Sequence, residues 1–135
     1  NPYIGPLEDK LDELLNAHEK HQLQQRDAVD AAPINFIRGA TWRSKVVIVD
    51  EAQNMTVKEL TTVITRISAN STLYICGDTM QSDINSTGFQ KFCKVFGDEE
   101  SKSHGVHHLH FTKDDVMRDK IISYLVDKIE KSDLN

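Results

Sequence analysis

The sequence predicts an α/β fold, a three-layer sandwich in which helices cover a mainly parallel sheet. Three observations carry that expectation. Val46-Val47-Ile48-Val49 is an unbroken run of β-branched residues, which suits a strand buried on both faces. Amphipathic helical segments alternate along the chain with short apolar runs, the pattern of strand–helix–strand units. With 135 residues, no internal repeat and no low-complexity tract, the chain has material for one core, so residues 1–135 read as a single domain.

The elements follow in order. Leu7 to Gln25 reads as one helix, with Leu7, Leu11, Leu14, Leu15 and His18 on one face and Glu8, Asp9, Asp12 and Glu13 elsewhere. Its acids crowd the front and Lys20, His21 and Arg26 the rear, as the helix dipole favours, and Pro6 suits the first turn. A small-residue connection from Asp27 to Pro33 leads to a short apolar piece, Ile34 to Ile37, closed by Arg38-Gly39. After the Val46–Val49 strand, Thr56-Val57-Lys58-Glu59 has the spacing of a capping box and starts a helix reaching about Ser68. Thr72 to Cys76 is the next strand. Phe89, Phe92, Cys93 and Phe96 mark a short helix, and Val106 to Phe111 alternates apolar residues with histidine like a strand. Val116 to Ile129 closes the chain as a helix, with Ile121, Ile122, Leu125, Val126 and Ile129 turned inward.

Composition narrows the class. Hydrophobic residues at 39% and charged residues at 27% describe a globular protein, and no apolar run approaches the ~20 residues of a membrane-crossing helix. Two cysteines far apart, Cys76 and Cys93, point to a reducing, cytoplasmic setting rather than a disulfide framework. A net charge of −5 weighs against a strongly basic nucleic-acid binder, although a local basic groove can exist within an acidic total. The opening Asn1-Pro2-Tyr3, without methionine, points to a longer protein.

In a parallel sheet, ligands gather at the carboxyl ends of the strands. Both predicted strands end there in acid-bearing motifs, Asp50-Glu51-Ala52-Gln53 and Gly77-Asp78-Thr79-Met80-Gln81. Asp50 at the strand tip is placed to hold Mg²⁺ through water, since that ion prefers oxygen ligands and keeps part of its hydration shell. Glu51, next in line, is placed to activate an attacking water. Gln81 carries both an amide donor and an acceptor, which suits sensing a γ-phosphate or orienting the same water. The plainer reading is that acids sit there because turns are wet. Two such motifs, one helix apart, favour the functional one.

Five segments then resemble the PhoH family, phosphate-starvation-inducible ATPases related to the nucleotide-binding core of superfamily 1 helicases. Asn1-Pro2-Tyr3 with Gly5-Pro6-Leu7 is similar to the family's DPYLRPL opening, and Phe36 to Thr41 (FIRGAT) to its YMRGRT. Val46 to Thr56 is similar to ILDEAQNTT, Ile75 to Asp83 to VTGDxxQxD, and Asp115-Val116-Met117-Arg118 to DVVRH. The resemblance implies a P-loop-type domain binding ATP and Mg²⁺, of which this chain is the C-terminal portion. It implies Mg²⁺ handling by Asp50, water activation by Glu51, γ-phosphate sensing by Gln81 and transition-state charge stabilisation by Arg118. The same resemblance implies that Asp78 is a nucleotide-side residue of the second motif and Arg38 a phosphate-side or coupling residue. The plainer reading of Arg118, amid Asp114, Asp115 and Asp119, is a surface ion pair worth under ~1 kcal/mol, and the family match favours the catalytic role over it.

The chain departs from the family in two places. No Gly-x-x-x-x-Gly-Lys-Ser/Thr loop occurs in these residues, so the β- and γ-phosphates lack their main cradle and the chain alone is expected to bind ATP poorly. Ala40 stands where the family often has arginine. Two functions therefore compete: part of an ATP hydrolase, with RNA or another single-stranded nucleic acid as a partner by helicase analogy, or a non-catalytic interaction module that has lost its phosphate loop. The strand order implied is 5-1-4-3-2, with Val46–Val49 as strand 3, Thr72–Cys76 as strand 4 and Val106–Phe111 as strand 5. The central strand 1 is absent, so the chain is expected to pair strands 4 and 5 directly, to associate with another copy or chain, or to sit beside an N-terminal segment. His104, His107, His108 and His110 read as solvated rather than as a zinc set, because strand neighbours point to opposite faces. Trp42, Tyr3 and Tyr74 read as packing residues, and Cys76 as a small buried hydrophobe.

Overall fold

The computed structural model describes residues 5–26, 28–37, 39–78, 87–112, 115, 117 and 120–130. The chain divides into two compact units, Asn1–Phe92 and Cys93–Asn135. The described residues form an α/β arrangement with a two-stranded parallel sheet and six helices.

In the first unit the predicted long N-terminal helix is two helices, α1 (Gly5–Leu14) and α2 (Ala17–Gln25). Asn16 breaks it. Its side chain accepts the His18 and Glu19 N–H groups at 3.1 and 3.0 Å, and Glu19 returns a bond from the Asn16 N–H at 3.0 Å. Asparagine competes with helix continuation in this way and favours the cap, so the leucine periodicity is overridden and Leu14 points to solvent. Lys20 and Asp12 pair across the break. Ile34–Phe36 forms one 3₁₀ turn.

The β-branched run is strand β1 (Val46–Val49), paired in parallel with β2 (Thr72–Ile75) in the register Val46↔Thr72 to Val49↔Ile75. Helix α3 (Val57–Ile64) lies between them in sequence and supplies the core. Leu60, Val63 and Ala52 are fully buried, with Met55 nearly so. Ile34, Ile37, Trp42, Val49, Leu73, Ile75, Phe89 and Phe92 pack around them. The sheet is not buried on both faces. Val47, Val49, Leu73 and Ile75 are covered, whereas Val46 is 68% and Ile48 67% exposed, with Thr72 and Tyr74 beside them. With Val46 and Ile48 open, the strands alternate as half-buried strands do.

Helix α3 starts as its sequence predicts. Glu59 N–H donates to Thr56 Oγ1 at 3.3 Å, while the Thr56 N–H and hydroxyl donate to Glu59 Oε2 at 2.8 and 2.7 Å. It ends at Ile64, short of Ser68, because the next residues are taken by a bridge. Trp42 N–H donates to Arg66 O and Ser68 N–H to Trp42 O, each at 2.8 Å, which pairs Trp42 with Ile67 in parallel. The Thr56 backbone and hydroxyl bonds hold the Glu59 carboxyl below its ordinary range. A lowered native value means stabilisation that is complete above the ordinary glutamate pKa and is lost as pH falls through the native one. Thr56→Ala is therefore expected to cost about 1 kcal/mol at neutral pH, with the difference from wild type narrowing in acid. Chemical denaturation at about pH 7 and about pH 3 checks it.

Helix α4 (Gly88–Val95) spans the boundary between the units, and Thr87 Oγ1 accepts the Gln90 N–H at its start. In the second unit α5 (Glu99–Ser103) is capped by Asp98 and ends at Gly105, φ 84°. Gly105 N–H donates to Lys102 O and Val106 N–H to Ser101 O, the paired bonds of a Schellman end. Residues 106–112 carry no strand, contrary to the alternating pattern. Val106 is committed to closing α5, and no other strand among the described residues pairs with the segment, which a strand needs. Helix α6 (Lys120–Glu130) forms the later part of the predicted closing helix, whereas Met117, inside the predicted span, is not helical. Its Ile121, Ile122, Leu125, Val126 and Ile129 are exposed, not turned inward as their periodicity suggests.

Candidate functional site

Parallel pairing puts the carboxyl ends of β1 and β2 at one edge of the sheet, and the acidic motifs with them. The crossing there is tight. Cys76 N–H donates to Val49 O at 2.8 Å and Ala52 N–H to Cys76 O at 2.9 Å, so the chain leaving β1 turns beneath the end of β2. Asp50 Oδ1 accepts the Glu51 N–H at 2.9 Å. Glu51 lies in the left-handed region, φ 55° and ψ 33°, which costs a non-glycine residue about 1 kcal/mol. Such conformations persist where the surroundings enforce them, and they concentrate at functional sites.

The enforcement comes from the 3₁₀ turn Ala52–Asn54, whose Ala52 and Gln53 are buried. Gln53 is 2% exposed. Its Nε2 donates to Glu51 Oε2 at 2.7 Å, and its Oε1 accepts the Asp78 backbone N–H at 3.0 Å. Gly77 makes this possible: a Cβ there would stand 3.0 Å from Gln53 N and 3.1 Å from Gln53 Oε1. Gly88 closes the far side. Its N–H donates to Met55 O at 3.0 Å, and a Cβ would fall 2.4 Å from both Thr56 C and Val57 N.

Asp50, Glu51 and Asp78 thus share one exposed edge. Arg38, Gln81 and Arg118 lie outside the described residues. Gln53, Gly77 and Gly88 received no role from the sequence, although the Gln53 amide has the same paired donor and acceptor that singled out Gln81. Cys76, expected to be buried, is exposed, because it stands one residue past the paired strand. Among the described residues no group of three or more histidine, cysteine or acidic side chains could hold a metal unaided, and no helix is long and apolar enough to cross a membrane.

A family model described as PhoH-like protein matches residues 1–130. A PhoH-like protein of Synechocystis is 32% identical over 98% of this chain, and one of Bacillus subtilis 29% identical over 97%. Protein PhoH of Escherichia coli is 35% identical over 62% of the chain. The chain spans 40%, 41% and 24% of the length of these three relatives.

Proposed function

The chain belongs to the PhoH family, a P-loop ATPase-like family, and on that premise we propose that it is the portion of an ATP hydrolase that handles the metal and the attacking water. One observation carries the reading: Glu51 is held at a strand tip in a left-handed conformation, its carboxylate fixed by a buried glutamine. Ser44 and Asn70 share that backbone conformation in plain turns, but a solvated turn acid has no need of the buried glutamine.

In this reading Asp50 holds Mg²⁺ through water. The donors suit that ion: they are exposed carboxylate oxygens, the hard ligands of a cation that keeps its waters and shares substrate phosphates. When bound, Mg²⁺ neutralises charge on the phosphates. Glu51 accepts the proton of the attacking water, and Asp78 lines the nucleotide side of the second strand tip. Gln81 senses the γ-phosphate, Arg118 stabilises charge on the transferring group and Arg38 contacts the phosphate side or couples it to the rest of the protein. β1 and β2 take adjacent places in a three-layer sandwich whose fifth strand is not Val106–Phe111, and further sheet and helix of the whole protein cover the open face. The setting is cytoplasmic, in keeping with free Cys76 and Cys93, and RNA remodelling is the work such a motor would do.

Asp50→Asn in the whole protein tests the metal assignment. The Mg²⁺-dependent gain in ATP affinity is expected to fall about tenfold, or 1.4 kcal/mol, in calorimetric titrations with and without the ion. A Mg²⁺ dependence equal to wild type would remove Asp50 from the role.

A further inference from the structure

We infer that Gln53 is the positioning residue of this site, a buried strut tying the Glu51 carboxylate to the backbone at the tip of β2. The inference rests on the assignment of Glu51 as the water-activating base. Neither strand tip could hold that carboxylate alone. Glu51 follows the last paired residue of β1 by two positions and is exposed, and an exposed glutamate has three rotatable bonds to wander through. Gln53 removes that freedom. Its own side chain is sealed from solvent, and the two ends of its amide are oriented by different elements: Nε2 donates to Glu51 Oε2 at 2.7 Å and Oε1 accepts from Asp78 N–H at 3.0 Å.

The polarity of the strut matters. A side-chain amide donates from one atom and accepts at the other, so only one orientation of Gln53 satisfies a carboxylate and a backbone N–H together. Glutamate at this position would keep an acceptor for Asp78 N–H and lose the donor to Glu51. Methionine would fill the space and lose both. Gly77, where a Cβ would press on Gln53 N at 3.0 Å, keeps the strut's path open. The consequence is a geometric link between the two motifs: a shift of the β2 tip at Asp78 moves the amide, and the amide moves the base.

The test uses the whole protein with Gln53→Met, Gln53→Glu and Glu51→Gln. Gln53→Met is expected to lower kcat about ten- to a hundredfold, as misplacement of a reacting group does, with KM for ATP within about twofold. Combined with Glu51→Gln it should cause no further loss, because it acts through that carboxylate. In the nucleotide-free protein, hydrogen exchange at the Asp78 amide should accelerate in Gln53→Met. Wild-type kcat in a folded Gln53→Met, or an independent loss in the double variant, overturns the proposal. If Gln53→Met does not fold, Gln53→Glu decides, since it retains the Asp78 acceptor: reduced kcat at near-normal KM supports the strut, and wild-type kcat overturns it. Wild-type turnover by Glu51→Gln sinks the base assignment instead. The strut is then judged by exchange at Asp78 alone, and an unchanged rate in Gln53→Met refutes it.

Discussion

Glu51→Gln is expected to stop ATP turnover in the whole protein while leaving nucleotide binding and the fold in place. The substitution is isosteric. A glutamine carboxamide oxygen at position 51 can still accept from Gln53 Nε2, so the buried strut keeps its partner. The left-handed backbone costs a glutamine what it costs a glutamate. What disappears is the capacity to take a proton from water, a contribution of about 10²- to 10⁴-fold in general acid–base catalysis. That corresponds to roughly 3–5 kcal/mol of barrier. Steady-state hydrolysis and ATP affinity, measured side by side, separate this outcome from general damage. Normal turnover would return Glu51 to the status of a turn acid.

The largest effect on stability belongs to Gly88→Ala. A Cβ at this position meets Thr56 C and Val57 N at 2.4 Å and Met55 O at 2.7 Å. These are backbone atoms at the start of α3, and no rotamer change relieves the clash. The first turn of α4 must back away, giving up the Gly88 N–H bond to Met55 O and opening the contact of Phe89 and Phe92 with the core. Overpacking of this kind costs about 3 kcal/mol, read as a shift in the denaturation midpoint. Gly5→Ala is the control, since a Cβ there meets nothing within 4 Å. Equal stability of the two variants would show that the α4 start yields more readily than its backbone packing implies.

Where one local signal dominates, the sequence was sufficient. Four β-branched residues specified β1, Thr56 and Glu59 specified the start of α3, and the parallel pairing follows from a helix between two strands. Competing local signals explain the misreadings. Asn16 and Glu19 have capping-box spacing, yet the leucine periodicity running through them concealed the break. Val106 to Phe111 alternates as a strand does, but Gly105 recruits Val106 into a helix end. Burial of a sheet face depends on what packs there, which a run of valines does not encode. At the site, the positions of Asp50, Glu51 and Asp78 were legible because strand ends place residues without help from tertiary detail. Gln53 was not, because its role depends on two partners, one of them 25 positions away, meeting around a single amide.

The left-handed glutamate also bears on descent. Glycine, or to a lesser extent asparagine, takes that conformation more cheaply, by about 1 kcal/mol for glycine. A lineage released from the chemistry would tend to drift toward such residues at position 51, then lose the glutamine beneath it once that side chain had no carboxylate to meet. If Glu51 and Gln53 act as proposed, retention of both residues becomes a historical marker, distinguishing descendants still under selection for that chemistry from those that inherited only the scaffold.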